Sequence, residues 1–293
     1  MRILLIGATG QLGRDLLQNN PGHDLMTPDR TVVDLDRMSE AAPLIRSLRP
    51  DVLINCAAFH NVPMCEIEAD RAFRINCLAV RDLASLCEET GVRFVTFSSD
   101  YVFGGGQRRP YAEDDKPMPL QVYGISRVAG EYAALSMAPQ RAIVIRTCGL
   151  YGRAGAQSKG GNFVDKRVVD ANAGGIIEMS NDQTVCPTST DDLSRAVYRL
   201  IECSGVPSGI YHLVNEGQCT WYEFTQAIVD ILGLPTRVLP VDRGGRTGTM
   251  RRPLYSVLAN EKAAALGIRL SDWRSALERY LHDKYDGRPV RRA

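Results

Sequence analysis

Short apolar runs and amphipathic stretches alternate along the first half of the chain. Runs that favour buried strands lie at residues 2–6, 23–28, 51–58, 93–99 and 141–147. Stretches with a helical repeat of apolar positions lie between them, at residues 10–20, 38–50, 68–91 and 126–137. Strict alternation of strands and helices favours right-handed crossovers and a parallel sheet covered on both faces. The pattern predicts an α/β fold with a Rossmann-type doubly wound parallel sheet.

Two of the predicted helices contain a residue that affects helix continuity or termination, and the regular alternation of elements ends after residue 150. The helix over 38–50 is expected to be interrupted at Pro43, because proline lacks the backbone donor that a helix interior uses. The helix over 68–91 is expected to be continuous and to end on Gly91 as its cap. After residue 150 the elements become shorter and less regular, which predicts a smaller C-terminal α/β region over one end of the sheet.

Composition narrows the class of protein without identifying it. Of the 293 residues 44% are hydrophobic and 24% charged, and the net charge of +1 gives no electrostatic case for nucleic acid or an acidic membrane as partner. No apolar run approaches the roughly 18 residues that span a bilayer. The eight cysteines form no C-x-x-C pair, which favours buried thiols in a reducing cytosol. We expect a cytoplasmic protein and, from the spacing of His, Asp and Glu, no bound metal.

A glycine pattern marks the first junction between strand and helix. "GATGQLG" places Gly7, Gly10 and Gly13 at the turn, where they allow the backbone to approach a pyrophosphate beside the helix N-terminus. The alternative is a tight turn alone, but the position of the pattern in an alternating chain favours dinucleotide binding. An NAD(P)-binding domain is therefore predicted over 1–148 with a returning segment of about 184–215, and a substrate-binding domain over 149–183 and 216–293.

The choice of dinucleotide depends on residues that follow the second predicted strand. Asp29 and Asp34 suit the hydroxyls of an adenosine ribose, whereas Arg30 suits a 2′-phosphate and can stack on adenine. Both types of residue are present, so NADPH and NADH both stay open, with a preference for NADPH. Asn76, on the long predicted helix, is expected to hold neighbouring backbone beside the cofactor.

Three side chains with complementary chemistry lie at and beyond the fourth predicted strand. Ser99 ends that strand, and Tyr123 and Arg127 lie four residues apart in "VYGISR". Hydride transfer to a ketone builds negative charge on its oxygen, which then needs a proton and hydrogen bonds. A tyrosine has an unperturbed pKa of about 10, and a fixed cation beside it favours the phenolate. We expect Tyr123 as the acid, Ser99 as a hydrogen-bond donor and Arg127 as the electrostatic partner; the alternative is that Arg127 points to solvent.

The order of further motifs extends this pattern into a family resemblance. After the glycine turn come "RPDVLINCAAF", "FSSDYVFGG", "RTCGLYG", "GGNFV" and "NDQTVCPTSTDDL". With these motifs in this order, the chain resembles the dTDP-4-dehydrorhamnose reductase family of extended short-chain dehydrogenases/reductases over nearly its whole length. The resemblance implies NAD(P)H-dependent reduction of the 4-keto group of a nucleotide-activated deoxysugar, specifically dTDP-4-dehydro-L-rhamnose to dTDP-L-rhamnose. A nucleotide sugar is the expected partner, with a homodimer left open.

The resemblance also implies roles by matching position. Tyr123 would protonate the 4-keto oxygen, Ser99 would hydrogen-bond the same oxygen, and Asp100 would touch the sugar. The cofactor would be lined by Gly10, Gln11, Leu12, Asp34, Leu35, Ala57, Ala58 and Phe59. Asn162 and Gln183, in two of the matching motifs, join the expected substrate contacts.

Several positions depart from the family pattern, and two of them bear directly on the chemistry of the site. Gly149 stands where the better-known enzymes have a substrate-facing tryptophan, which implies a wider sugar pocket and a different sugar. Arg127 stands where a lysine belongs; arginine keeps the charge but is effectively never deprotonated, so it supports a phenolate without relaying protons. The exchange leaves open a second interpretation, a catalytically impaired NADP(H)-binding regulatory subunit. A third, an epimerase or dehydratase, ranks last because Tyr101 rather than a glutamate follows Asp100.

Overall fold

A six-stranded parallel sheet forms the centre of the computed structural model, which describes residues 1–155, 160–247 and 250–285. The strands are β1 (Arg2–Ile6), β2 (Asp24–Met26), β3 (Val52–Asn55), β4 (Arg93–Ser99), β5 (Ala142–Thr147), β6 (Gly175–Ser180), β7 (Thr184–Val185), β8 (Gly209–His212), β9 (Cys219–Thr220), β10 (Thr236–Val241), β11 (Arg246–Thr247) and β12 (Met250–Arg251). Six of them pair in parallel in the order β2–β1–β3–β4–β5–β8. The chain thus winds outward from β1 in both directions, which confirms the predicted fold class.

Helices cover both faces of this sheet. They are α1 (Gln11–Gln18), α2 (Met38–Leu48), α3 (Val62–Ile67), α4 (Ala69–Phe73), α5 (Ala79–Thr90), α6 (Val122–Met137), α7 (Phe163–Asn172), α8 (Thr190–Glu202), α9 (Trp221–Leu232), α10 (Glu261–Ala265) and α11 (Trp273–Tyr285). Alternate residues of β1 face opposite sides: Ile3 and Leu5 pack with α1 and α8, whereas Leu4 and Ile6 pack with α5 and α6. The two-residue period of a strand thus places an apolar layer on each face.

Two helix predictions were wrong in detail. The helix α2 continues through Pro43, because burial of Ile45 in the core beneath it offsets the missing backbone donor. The predicted continuous helix over 68–91 is instead α4, a π-helical turn at Arg74–Leu78 and α5. The last of these elements, α5, ends on Gly91, which has φ 76° and is the predicted cap. The π-helical turn carries Asn76 and places this residue against α6.

The second half of the chain completes the sheet and also builds a layer of its own. The helix α8 packs on α1, where the Tyr198 hydroxyl donates to the Leu16 carbonyl at 2.6 Å, and β8 becomes the sixth strand. Around a separate core, α7, α9 and α11 pack together, and β6 pairs with β10. This layer faces the carboxyl ends of the central strands. The division into an NAD(P)-binding domain and a substrate-binding domain at the predicted boundaries stays a prediction. In the described residues no helix combines the length and apolar character that crossing a bilayer requires.

Candidate active site

A cleft of about 830 Å³ lies at the carboxyl ends of the central strands. One wall is the turn between β1 and α1 together with the ends of β4 and β5. The opposite wall comes from the C-terminal layer and contains Phe163, Lys166, Trp221 and Arg252. Ligands of open α/β sheets bind at the carboxyl ends of the strands, at the point beside β1 where the strand order reverses. The cleft is therefore the candidate active site.

The glycine turn forms the part of the cleft nearest β1. Gly7 takes φ +81°, and a Cβ atom there would lie 2.8 Å from the Ala57 nitrogen. A Cβ atom on Gly13 would lie 2.3 Å from the Gly7 carbonyl oxygen. Side chains are thus excluded where β1, β3 and α1 meet, and α1 begins at Gln11 with no side-chain cap on its N–H groups. Uncapped N–H groups at a helix start attract phosphate.

Tyr123 and Ser99 meet in the middle of the cleft. Tyr123 lies in the first turn of α6. The next residue, Gly124, allows this turn to pack on the Tyr101 carbonyl, because a Cβ atom on Gly124 would lie 2.2 Å from the Tyr101 carbonyl oxygen. Ser99 ends β4, and its side chain lines the cleft together with that of Tyr123. Burial raises the pKa of Tyr123, while the Arg127 charge and the Ser99 hydroxyl act in the opposite direction. The phenol is therefore kept protonated, beside two groups that stabilise its anion.

Arg127 faces the cleft and not the solvent. It lies one turn beyond Tyr123 on α6 and is 6% exposed, so the alternative of a solvent-facing side chain was wrong. Its Cζ atom lies 6.0 Å from the centre of the Tyr123 ring, and its Nη1 donates to Asn76 Oδ1 at 3.4 Å. Within the described part of the chain, its buried Nε finds no hydrogen-bond partner. A buried guanidinium with an unused donor is suited to an oxygen-rich ligand.

Asn76 holds neighbouring backbone in place, that of Phe59 after β3; that a cofactor lies beside this backbone stays a prediction. Its amide accepts from Phe59 N and donates to Phe59 O, both at 2.9 Å, and donates to Ser126 Oγ at 3.0 Å. Gly130 makes this packing possible, because a Cβ atom there would lie 2.1 Å from the Asn76 carbonyl oxygen. Asn76 therefore links the segment after β3 to α6, and orients Arg127 between them.

Asp100 lies behind Ser99 and is 4% exposed. Its Oδ1 accepts from the Ser99 hydroxyl at 2.9 Å, and its Oδ2 accepts from Ser256 Oγ at 2.7 Å. Burial raises the pKa of the Asp100 carboxyl, and hydrogen bonds from Ser256, Cys148 and Ser99 oppose the shift. A buried carboxyl group whose pKa is raised by burial thus contacts Ser99.

The residues predicted to hold adenosine form a separate charged group beyond the cleft. Asp29 accepts from Thr31 N at 2.8 Å and from its hydroxyl, which lowers the Asp29 pKa and ties this carboxylate to its own turn. Arg30 instead pairs with Asp34 at 3.5 Å and with Asp36 at 3.3 Å. Three further arginines reach the same two carboxylates: Arg37, Arg71 and Arg74.

The predicted site residues divide into two groups by position. Twelve positions line the cleft, namely Gly7, Gly10, Gln11, Leu12, Gly13, Ala58, Ser99, Asp100, Tyr123, Arg127, Gly149 and Asn162. The others lie outside its lining: Asp29, Arg30, Asp34, Leu35, Ala57, Phe59, Asn76 and Gln183. Gln183 instead donates to Ser180 Oγ at 3.0 Å, and Leu35 packs in the core. The ligand contacts of both groups stay predictions.

The C-terminal wall contains residues that the sequence did not single out as ligand contacts. Trp221 begins α9 and its ring centre lies 4.5 Å from that of Phe163. The same indole lies 3.3 Å from where a Cβ atom on Gly149 would be, so an aromatic ring from α9 occupies the space beside this glycine. Arg252 donates to the Tyr101 hydroxyl at 3.0 Å. The signals in the sequence that could have pointed to this wall are the motif "GGNFV", which contains Phe163, and the aromatic pair Trp221–Tyr222 that opens a helix.

Several buried polar atoms of the cleft lack a partner in the described residues. They are Gln11 Oε1, Ser98 Oγ, Arg127 Nε, Thr147 Oγ1 and Arg252 Nε. Buried polar groups are normally hydrogen-bonded, so their concentration here indicates a polar ligand with both donors and acceptors. No group of three or more His, Cys, Asp or Glu is placed to hold a metal ion in the portion of the chain that the structure describes.

Comparisons with known proteins agree with this geometry. The family described as RmlD substrate binding domain matches residues 1–285. The spore coat polysaccharide biosynthesis protein SpsK of Bacillus subtilis (strain 168) is 34% identical over 285 residues, with 97% of this chain and 98% of that protein aligned. A dTDP-4-keto-6-deoxy-D-glucose reductase of Streptomyces niveus is also 34% identical, over 94% of this chain and 95% of that protein.

Solved structures that superpose well on this chain include dTDP-4-dehydrorhamnose reductases. The dTDP-4-dehydrorhamnose reductase of Bacillus anthracis str. Ames, crystallised in complex with NADP, superposes with a TM-score of 0.89 at 31% identity, over 96% of this chain and 99% of that chain. The dTDP-4-dehydrorhamnose reductase of Clostridium acetobutylicum ATCC 824 also superposes with a TM-score of 0.89 at 31% identity, over 96% of this chain and 98% of that chain.

Proposed function

Because the chain belongs to the RmlD substrate binding domain family, we propose that it uses NADPH to reduce dTDP-4-dehydro-L-rhamnose to dTDP-L-rhamnose. At the coarser level, it is an NAD(P)H-dependent oxidoreductase that reduces a keto group of a nucleotide sugar. The observation that supports reduction of a ketone is that Tyr123 and Ser99 line one cleft, with the buried Arg127 beside the Tyr123 ring. The named relatives include reductases of more than one dTDP-4-keto sugar, so the stereochemistry of the sugar is the open part of the proposal.

The residues present fit a dinucleotide cofactor. Gly7 and Gly13 keep side chains out of the turn, and the start of α1 offers N–H groups to a pyrophosphate. The unpartnered Arg127 Nε would bind a hydroxyl of the nicotinamide ribose. What a reduced nicotinamide supplies when bound is a hydride for the carbonyl carbon of the sugar.

The side chains of the cleft would then protonate and stabilise the carbonyl oxygen as it becomes negatively charged. Tyr123 donates its proton to this oxygen, and Ser99 hydrogen-bonds it as negative charge develops. Arg127 stabilises the phenolate that Tyr123 becomes, since its charge already acts to lower the Tyr123 pKa. The Trp221 ring, beside Gly149, would form an apolar wall for the sugar or its nucleotide.

A preference for NADPH over NADH is supported by the arginines around Asp34 and Asp36. Arg30 and Arg71 lie within 3.6 Å of Asp36, and the guanidinium of Arg71 also lies 5.0 Å from the ring of Phe59. A 2′-phosphate would gain charge-assisted hydrogen bonds there, worth about 1.5–3 kcal/mol each. Arg30→Ala and Arg71→Ala should each weaken NADPH binding about tenfold, in fluorescence titrations, while NADH binding changes little. Equal losses for both cofactors would contradict this assignment.

The test of the reaction itself is transfer of label. NADPH deuterated on the transferred position, supplied with enzymatically prepared dTDP-4-dehydrorhamnose, should give a product with one deuterium at C4 of the sugar by mass spectrometry and NMR. The NMR couplings of the same product would report the configuration at C4. Tight NADPH binding without any product would support the regulatory interpretation instead, which the exchange of lysine for Arg127 motivates.

A further inference from the structure

The side chain of Asn162 lines the cleft, yet its polar atoms are used within the protein. It is 4% exposed, and its Nδ2 donates to the Gly152 carbonyl at 2.8 Å and to the Tyr280 hydroxyl at 2.9 Å. Its Oδ1 accepts from Asp165 N at 2.8 Å. This orientation of the amide is fixed, because a carbonyl can only accept and a backbone N–H can only donate. Both amide protons are therefore committed to protein partners.

Asn162 caps α7, and the first turn of this helix forms part of the C-terminal wall of the cleft. The helix begins at Phe163, and Phe163 and Lys166 both line the cleft. The ring centre of Phe163 lies 4.5 Å from that of Trp221, on the same wall. Aromatic rings beside an ammonium group suit the base and the phosphates of a nucleotide. The position of this first turn therefore sets the shape of the wall that a nucleotide would meet.

The helix α11 holds this turn from behind, although none of its described residues lines the cleft. Tyr280 of α11 is 6% exposed; its hydroxyl accepts from Asn162 at 2.9 Å and donates to Asp165 Oδ1 at 2.7 Å. Lys284, one turn later, donates to Asp165 Oδ2 at 2.8 Å. The Tyr280 ring is held edge-on against Tyr151, with 5.2 Å between the ring centres. A single phenol thus ties both the cap and the first turn of α7 to α11.

We propose that Tyr280 is a positioning residue for nucleotide-sugar binding, and that Asn162 is the link through which it acts and not a contact of the substrate; this rests on the proposed function. The motif "GGNFV" predicted Asn162 as a substrate contact, but its committed amide protons favour a role in placing Phe163 and Lys166. The glycine turn is built from β1, β3 and α1, so cofactor binding does not depend on this link.

The first test is Tyr280→Phe, which removes the hydroxyl and keeps the ring. Calorimetric titration with dTDP should give a Kd about tenfold higher, the loss expected for two hydrogen bonds, and KM for dTDP-4-dehydrorhamnose should rise by a similar factor. The Kd of NADPH and kcat should each change less than about threefold. Tyr211→Phe is the matched control, because its hydroxyl donates to the Pro207 carbonyl at 2.9 Å away from the cleft, and it should change none of these constants. Parallel losses of dTDP and NADPH binding in Tyr280→Phe would reveal a merely structural role and overturn the proposal.

The second test separates a link from a substrate contact. Asn162→Ser keeps an oxygen that can cap α7 but loses both amide donors. If Asn162 acts through Tyr280, the double variant Asn162→Ser/Tyr280→Phe should bind dTDP no more weakly than the weaker single variant, within about twofold. Additive losses in the double variant, or unchanged dTDP binding in both single variants, would contradict the assignment.

Hydrogen exchange of the protein without ligands gives a readout that does not depend on the reaction. The backbone amides of residues 163–166 should exchange about tenfold faster in Tyr280→Phe than in the wild type, since the turn loses its tie to α11. Unchanged exchange there would refute the positioning role, whichever sugar the protein reduces. If exchange and dTDP binding change as expected but the wild type reduces no 4-keto sugar, the proposed function falls and the positioning role stands.

Discussion

Arg146 and Arg127 are both buried, but they are compensated very differently. Arg146, on β5, is 1% exposed; its Nε and Nη2 donate to the two carboxylate oxygens of Glu131 at 2.8 and 2.6 Å. Its Cζ atom also lies 5.0 Å from the centre of the Phe103 ring. Arg127, on α6, is 6% exposed, and among the described residues its hydrogen bonding is limited to the 3.4 Å contact with Asn76.

The difference separates a structural arginine from a functional one. Burying a charge is costly unless a partner compensates it, and Glu131 does so for Arg146. The charge of Arg127 is surrounded instead by the Tyr123 phenol, the Asn76 amide and the cleft. A bound cofactor or substrate would supply the hydrogen bonds that the protein leaves open at this side chain. Stability should therefore depend on the first arginine, and binding and turnover on the second.

The largest expected effect on stability is that of Arg146→Met. It would leave the Glu131 carboxylate buried without its partner, which typically costs about 3–5 kcal/mol. The matched Arg127→Met removes a charge that has no buried carboxylate beside it and should change the free energy of unfolding by less than about 1 kcal/mol. Urea denaturation monitored by circular dichroism would measure both. Equal losses in the two variants would remove the distinction between these arginines.

The next largest effect concerns binding and turnover at Arg127. Arg127→Met should weaken NADPH binding about tenfold or more, since a charged hydrogen bond to the ligand is lost. Arg127→Lys should keep binding within a few fold and raise kcat, because an ammonium group relays protons and a guanidinium does not. Titration calorimetry and steady-state kinetics would separate the two effects. A fall of kcat in Arg127→Lys would show that the site is built around arginine.

A smaller effect is the pH dependence of stability that Asp100 contributes. Its pKa is raised in the folded state, so the folded protein binds more protons than the unfolded chain above the ordinary aspartate pKa of about 4. Stability from this group is complete below that pH and is lost as pH rises through the folded pKa. Asp100→Asn should thus gain in melting temperature relative to the wild type between pH 4 and pH 8. A constant difference across this range would contradict the raised pKa.

Much of the fold followed from local patterns in the sequence. The apolar runs identified the first five strands of the sheet, and the glycines at 7, 10 and 13 identified the turn, because close backbone approach allows few other residues. The predictions failed where tertiary packing decides. Burial of Ile45 carries α2 through Pro43, and packing against α6 introduces the π-helical turn that bears Asn76.

The candidate site was predicted in most detail on the side that the Rossmann half contributes, whereas Gly149 and Asn162 were the lining residues predicted from the other half. Ser99, Tyr123 and Arg127 were found because their chemistry and spacing belong together. The opposite wall, with Phe163 and Arg252, comes from distant segments whose meeting depends on the packing of the C-terminal layer. The hydrogen bond from Ser256 to Asp100 is of the same kind, since 156 residues separate the two.

The central claim is that Tyr123 protonates the keto group of a nucleotide sugar. The most direct measurement follows NADPH oxidation with enzymatically prepared dTDP-4-dehydrorhamnose in the wild type, Tyr123→Phe and Arg127→Lys. The account predicts turnover in the wild type and a kcat lower by about 10²- to 10⁴-fold in Tyr123→Phe, with NADPH binding retained. NADPH binding without oxidation in both the wild type and Arg127→Lys, or equal rates in the wild type and Tyr123→Phe, would contradict it.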